Sequence, residues 1–347
     1  MSLNIDLLRT LCQLPGAPGY EQAIRSKVQE EIKGLVDEVR IDNMGNLIAL
    51  KHGRNRDQSV MVAAHLDEIS FIVTHVDKDG YAHFHTMGGF DPKTLTAQRV
   101  LVHGKKTLMG VMGSKPIHIM SPEDRNKAPK LKDYFIDFGL PYEEVIKYIQ
   151  IGDVVTRERD LIELGECVSS KSLDNRISVF VLIEALKRME QPAYDFYAVF
   201  TVQEEVGLRG ATVATRAIDP TYGFGLDTTI ANDTPQAKPQ EMVTSLGKGA
   251  AIKVMDGSVI TDYRMLRYME SVAEGLKLPY QREILPRGGT DTGAVQRGGS
   301  GSIAGCVSIP TRHIHSVVEM CHKEDIEGAI QLLSACLEQL DRFDHNW

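Results

Sequence analysis

Phe196-Tyr197-Ala198-Val199-Phe200-Thr201-Val202-Gln203-Glu204-Glu205-Val206-Gly207 is the stretch whose reading decides the fold. Its first seven residues form a short, nearly continuous apolar block with the length and β-branched content of a strand buried on both faces. Two adjacent carboxylates follow at its exit. A buried carboxylate costs several kcal/mol unless a cation or hydrogen-bond donor compensates it, so the pair asks for a partner such as a divalent metal. The alternative is an acidic strand end that faces water.

Working outward, the same rhythm recurs. Ser59 to Ala64 is another continuous apolar strand and leads into His65-Leu66-Asp67-Glu68. Tyr222 to Leu226 ends in Asp227, and Ser302 to Ile309 precedes Arg312-His313-Ile314-His315-Ser316. Between them lie helical patterns: Leu3 to Leu14, Glu21 to Leu35 with Ile24, Val28, Ile32 and Leu35 on one side, Asn175 to Arg188, Gly210 to Ala217, Thr261 to Gly275 and Lys323 to Leu340. A hairpin is expected from Val36 to Lys51 around Asn43-Met44-Gly45-Asn46. Buried strands alternating with helices define an α/β domain.

The rhythm stops at about Phe71. Hairpin signals such as Asp77-Lys78-Asp79-Gly80 and alternating segments such as Tyr81 to His85 and Arg99 to His103 take over, with one helix expected at Tyr142 to Tyr148. Residues 73–164 therefore read as an inserted β-rich domain, and residues 1–72 with 165–347 as one discontinuous α/β domain.

Composition narrows the function. A formal charge of -8 argues against nucleic acid or an anionic membrane as partner and suits a small-molecule or peptide substrate. The five cysteines show no CxxC pairing, so neither a disulfide framework nor a thiolate zinc site is indicated. With no long apolar run and no signal-peptide pattern near the start, a cytoplasmic location is expected.

Three of the marked sites, His65 with Asp67, Glu204 with Glu205, and Asp227, fall at the carboxyl ends of buried strands, the edge of an α/β sheet where ligands bind. Asp174, just before a helix, and His315, after another strand, complete the candidates. Each has an ordinary explanation alone: a helix N-cap for Asp174, a turn cap for Asp227, a core histidine for His65, a solvent-facing side chain for His313 or His315. Together, imidazoles and carboxylates of this number suit zinc, cobalt or manganese, and they exceed the needs of one catalytic zinc. A two-metal site with a bridging carboxylate would use them all. Asp67, two residues beyond His65, is expected to accept the other imidazole N–H and fix the tautomer.

Ala64-His65-Leu66-Asp67-Glu68, Leu173-Asp174-Asn175-Arg176, Gln203 to Gly210, Gly288-Gly289-Thr290-Asp291 and Ile314-His315-Ser316 resemble, in order, the motifs of the glutamyl and tetrahedral aminopeptidase family of dinuclear metallopeptidases. The resemblance implies a three-layer α/β/α zinc-peptidase-like catalytic domain interrupted by a small β-barrel-like dimerisation domain. It implies two divalent ions per subunit, bridged by Asp174, with His65 and Asp227 completing one site and Glu205 and His315 the other. Glu204 would be the general base, and the Asp174-Asn175 peptide would be cis. Peptides would be the substrates, and dimers and twelve-subunit shells the assemblies.

Gly288, Gly289 and Thr290 are expected to let a peptide backbone approach closely, since two of the three lack side chains. Adjacent residues of a regular strand point to opposite faces, so the chain must leave strand geometry at Glu204 or Glu205 for both to serve one site. Rival readings are a metal-dependent deacylase or carboxypeptidase of a neighbouring family, a glycoside hydrolase using Glu204 and Glu205, and a non-catalytic scaffold. The single tryptophan, Trp347, offers little for stacking on sugars.

Overall fold

In the chain's computed structural model, residues 3–235 and 237–344 are described, so Trp347 lies outside the described residues. The N-terminal helices Ile5–Gln13 and Gln22–Glu31 are followed by strands β1 (Glu38–Ile41), β2 (Leu47–Lys51) and β3 (Asn55–His65). Six strands then form a closed barrel: β4 (Ser70–Val76), β5 (Ala82–Met87), β6 (Arg99–His103), β7 (Thr107–Ser114), β8 (Tyr134–Asp137) and β9 (Val154–Arg157). The remaining strands are β10 (Ile162–Leu164), β11 (Cys167–Ser170), β12 (Tyr194–Thr201), β13 (Tyr222–Ile230), β14 (Ala250–Met255), β15 (Tyr280–Ile284), β16 (Ile303–Arg312) and β17 (Glu319–His322).

Outside the barrel, eleven strands make one mixed sheet ordered β1-β2-β12-β3-β13-β16-β17-β11-β10, with β14 and β15 branching from β16. β3 lies between β12 and β13 and runs parallel to both, while β2 pairs antiparallel with the other side of β12. β2 and β3, successive in the chain, are thus separated by a strand made far later.

The sheet is covered on both faces, and the alternation along its strands shows how. Val60, Val62 and Ala64 of β3 join Phe196, Ala198 and Phe200 of β12 in the larger core, under helices Leu173–Arg188 and Lys323–Glu338. Met61, Ala63 and Val199 point the other way, to a smaller core closed by Ala214 and Val295 from helices Arg209–Ile218 and Asp291–Arg297. With successive side chains on opposite faces, a strand that is apolar throughout must be covered twice, and this is the three-layer α/β/α arrangement. The barrel has its own core, including Phe71, Val100, Val102, Ile136 and Val155.

Some details differ from expectation. The barrel strands begin at Ser70 and end at Arg157, and Ile162–Leu164 pairs with β11 in the large sheet, so both edges of the barrel lie earlier than the 73–164 reading sets them. β13 continues to Ile230, which places Asp227 inside the strand rather than past its end. The Tyr142 helix is a short turn ending at Val145. Gly225 allows helix Asp291–Arg297 to lie close on β13, since a Cβ there would fall 1.8 Å from Thr292 Oγ1.

Candidate active site

His65 closes β3, and its register partner on β12 is Thr201, the last residue of that strand. β13 pairs with β3 as far as Gly225↔Ala63, and continuing that register brings Asp227 level with His65. Three neighbouring parallel strands therefore deliver His65, Glu204 with Glu205, and Asp227 to one rim.

Beyond Thr201 the backbone turns sharply. Gln203 has φ of 57°, in the left-handed region uncommon for a side-chain-bearing residue, and this break lets both glutamates face the same cluster. The turn is held by hydrogen bonds from the backbone N–H groups of Glu204 and Glu205 to Asp67 Oδ1 and Oδ2, at 3.0 and 3.1 Å. Glu21, 2 % exposed, accepts from the Gln203 N–H at 3.2 Å.

Asp174 arrives from the start of helix Leu173–Arg188, where Asn175 Nδ2 donates to the carbonyl of Leu226 at 2.9 Å and docks the helix end beside Asp227. The Asp174-Asn175 peptide is cis. His315 arrives from the turn between β16 and β17. His313 in the same turn is exposed, whereas the His315 ring faces Asp174.

The expected residues converge. His65 Nε2 lies 3.4 Å from Asp174 Oδ1 and 3.8 Å from both Glu204 Oε2 and Asp227 Oδ1. His315 Nε2 lies 3.3 Å from Asp174 Oδ2 and 3.6 Å from Glu205 Oε1. Asp174 thus presents one oxygen to each histidine. Donor atoms of His65, Asp174 and Glu205, and of His65, Glu204 and Asp227, fall within 4.8 Å of one another. The two trios share His65, so the cluster is continuous.

The electrostatics show what the cluster suits. Burial pushes Glu204 well above the usual carboxylate range, with the charges of Asp227, Glu205 and Asp291 adding to it. Burial and the neighbouring Asp174 lift Glu205 to about 7, and burial also raises Asp227 well above its usual value. Burial would raise Asp174 too, but His315 and His65 beside it hold it low. For His65 and His315 burial works downward, yet the surrounding carboxylates win and raise both, His315 to about 9. Buried Asp174 Oδ1 and Glu205 Oε1 have no hydrogen-bond donor. Crowded carboxylates with unpaired buried oxygens and flanking imidazoles fit divalent cations.

The rim opens into a cavity of about 770 Å³. Gly288, Gly289 and Thr290 line one side of it, and Gly89, Phe90 and Asp91 from the barrel line another. The barrel is therefore part of the cavity wall.

A family model described as M42 glutamyl aminopeptidase matches residues 45–332. The chain belongs to the M42 glutamyl aminopeptidase family. It is a peptidase by that membership, and the M42 family implies divalent metal ions. Among relatives, a putative aminopeptidase of Acetivibrio thermocellus is 40 % identical over 329 residues, 94 % of this chain and 96 % of that protein. The TET aminopeptidase structure from the marine sediment archaeon Thaumarchaeota archaeon SCGC AB-539-E09 superposes with a TM-score of 0.94 at 34 % identity, covering 97 % of this chain and 96 % of that one. The Pyrococcus horikoshii TET1 peptidase, described as assembling into a tetrahedron or a large octahedral shell, gives a TM-score of 0.85 at 32 % identity, with 96 % and 98 % covered.

In this M42 chain one expected contact is different. His65 Nδ1 lies 3.0 Å from the backbone carbonyl of Asp67, nearer than the 3.5 Å to its carboxylate. The carbonyl takes the imidazole N–H, and the carboxylate is engaged by the Glu204 and Glu205 amides. Sequence reasoning also missed Glu319, whose carboxylate accepts from the backbone N–H groups of Asp174 and His315. The available signal was a lone acid in the short strand Glu319–His322, between the apolar Val318 and Met320. It missed as well the buried group of Glu68, Lys171 and Arg176 behind the site, although Glu68 and Arg176 lie within the quoted motifs.

Proposed function

We propose that this chain removes N-terminal residues from peptides at a dinuclear site, with Asp174 shared between two divalent ions, His65 and Asp227 completing one position and Glu205 and His315 the other. The observation that carries the reading is the Asp174 carboxylate set between two imidazoles, one oxygen 3.4 Å from His65 and the other 3.3 Å from His315. Zinc and cobalt suit this nitrogen and oxygen set best, and manganese is compatible. Ions bound there would supply Lewis-acid charge at the scissile carbonyl and acidify a neighbouring water.

The chain's own groups do the rest. Glu204 is the general base: it takes the proton from the attacking water and returns it to the departing amine, a transfer favoured by a carboxylate that burial has made more basic. Asp67 holds the Glu204 backbone and so aims that carboxylate. The surplus of acids around the rim is a receptor for the ammonium of a free N-terminus. Gly288, Gly289 and Thr290 admit the peptide backbone along the cavity wall, Gly288 at φ of 93°.

The barrel is the self-association domain in this reading, joining subunits into dimers and, as with the shell-forming relative, into larger closed assemblies. Five free cysteines among the described residues fit work in the reducing cytoplasm. No described helix is long and apolar enough to cross a membrane.

The test is hydrolysis of aminoacyl anilides against N-acyl amino acids after loading with zinc, cobalt or manganese in turn. Free-amine substrates should be cleaved and chelation should abolish it. Preferential cleavage of N-acyl substrates, or chelator-insensitive cleavage of a polysaccharide, would overturn the assignment.

A further inference from the structure

His315 is held at both ends by residues outside the catalytic set. Its backbone is left-handed, φ 64°, a conformation a histidine keeps only when its surroundings impose it. Its N–H donates to Glu319 Oε1 at 2.8 Å, and its carbonyl accepts from Arg157 Nη1 at 3.1 Å. The other Glu319 oxygen, Oε2, accepts the N–H of Asp174 at 3.0 Å. Glu319 and Arg157 are each 1 % exposed, and the Arg157 guanidinium lies 5.3 Å from the centre of the Phe90 ring in the cavity wall.

These contacts join three elements. Glu319 comes from β17, Arg157 from the last strand of the barrel, and Asp174 from the helix that starts beneath them. One carboxylate grips the backbones of two residues whose side chains face each other at 3.3 Å, so it sets the spacing between them. His65 is anchored separately, through the Asp67 carbonyl, and meets the clamped residues only at Asp174, whose Oδ1 lies 3.4 Å from its Nε2.

We propose that Glu319 and Arg157 are positioning residues that hold His315 against Asp174, and that they control occupancy of the cation position formed by Glu205 and His315 more strongly than that of the His65 and Asp227 position, which the clamp reaches only through the shared Asp174. The inference rests on the dinuclear reading above. It also makes the barrel, through Arg157, a support for one of the two positions. Outer contacts of this kind change metal affinity about 10- to 100-fold when removed.

The experiment is stepwise cobalt binding to the full chain, followed by calorimetry and by the visible absorption of bound cobalt, with thermal unfolding measured in parallel. Wild type, Glu319→Gln and Arg157→Met are compared; the first substitution keeps shape and the second keeps packing on Phe90, so the two do not share one folding risk. Wild type should take two ions. Both variants should bind the second ion about 10- to 100-fold more weakly and weaken the first by less than about tenfold. A folded variant that takes both ions at wild-type affinities, or loses affinity equally for both, overturns the clamp and leaves the dinuclear reading standing. A wild-type chain that binds fewer than two ions overturns that reading and this inference with it.

Discussion

The backbone N–H of Glu204 donates to Asp67 Oδ1 at 3.0 Å, which ties the proposed base to the segment that follows His65. The position of the Glu204 side chain is therefore set by its backbone, and its carboxylate is free for chemistry.

Glu204→Gln keeps that backbone hydrogen bond and the shape of the side chain but cannot accept a proton from water. Hydrolysis of an aminoacyl anilide should fall about 10²- to 10⁴-fold, the usual contribution of a general base, while metal content stays at the wild-type level. Steady-state rates alongside elemental analysis check both halves. A variant working at near-normal rate would remove Glu204 from the mechanism.

Metal removal should destabilise the fold as well as silence it. Without cations the cluster keeps mutually repelling carboxylates and the donorless oxygens of Asp174 and Glu205. Ligands that bind only the native state stabilise by RT ln(1 + [L]/Kd), about 4 kcal/mol at a thousandfold excess over Kd. Calorimetric scans should show a lower melting temperature after chelation, restored by zinc or cobalt.

Glu21 should make stability fall as pH rises. Burial, with the Asp67 charge, raises its folded pKa from 4.5 to about 7. The folded state therefore holds this proton more tightly than the unfolded state; the stabilisation is complete below about 4.5 and is lost as pH climbs through 7. Glu21→Gln keeps the oxygen that accepts from Gly19 and Gln203 and has no charge to bury. Its stability should match wild type near pH 4 and exceed it by on the order of 2–3 kcal/mol above pH 8, measured by urea unfolding across the range. A constant difference at all pH values would refute the assignment.

Lys171 is buried and bonded to both oxygens of Glu68, at 3.0 and 2.8 Å, with Arg176 3.6 Å away. Burial alone would raise Glu68, but Lys171 and Arg176 hold it below the usual range. Lys171→Met leaves a buried carboxylate with its nearest cation gone and should cost about 3–5 kcal/mol in denaturant unfolding. Adding Glu68→Gln should recover part of that loss. If the double variant is no more stable than the single one, the pair is not coupled.

Much of the fold is legible in the residues because buried strands advertise themselves. Val60 to Ala64 and Phe196 to Phe200 are apolar without alternation, and that demands a layer on each face. β15 and β17 were hidden because Gln281, Arg282 and Glu283 or Glu319 and His322 give them no such pattern. At the site, side-chain groups at strand ends could be picked out, since their spacing follows the strands. Glu319 and Arg157 could not. Their partners are backbone amides and a carbonyl, which every residue carries, and only the folded chain shows which ones meet.

The place of β12 between β2 and β3 bears on how the molecule is assembled as it leaves the ribosome. The first strands emerge with a vacant slot between them, and it stays vacant until Tyr194–Thr201 has been made. The barrel needs only residues from Ser70 to Arg157, so it can close while its N-terminal neighbours still wait. Nascent chains stalled just after the barrel should therefore carry a folded barrel preceded by unprotected apolar strands, β2 and β3, open to a chaperone.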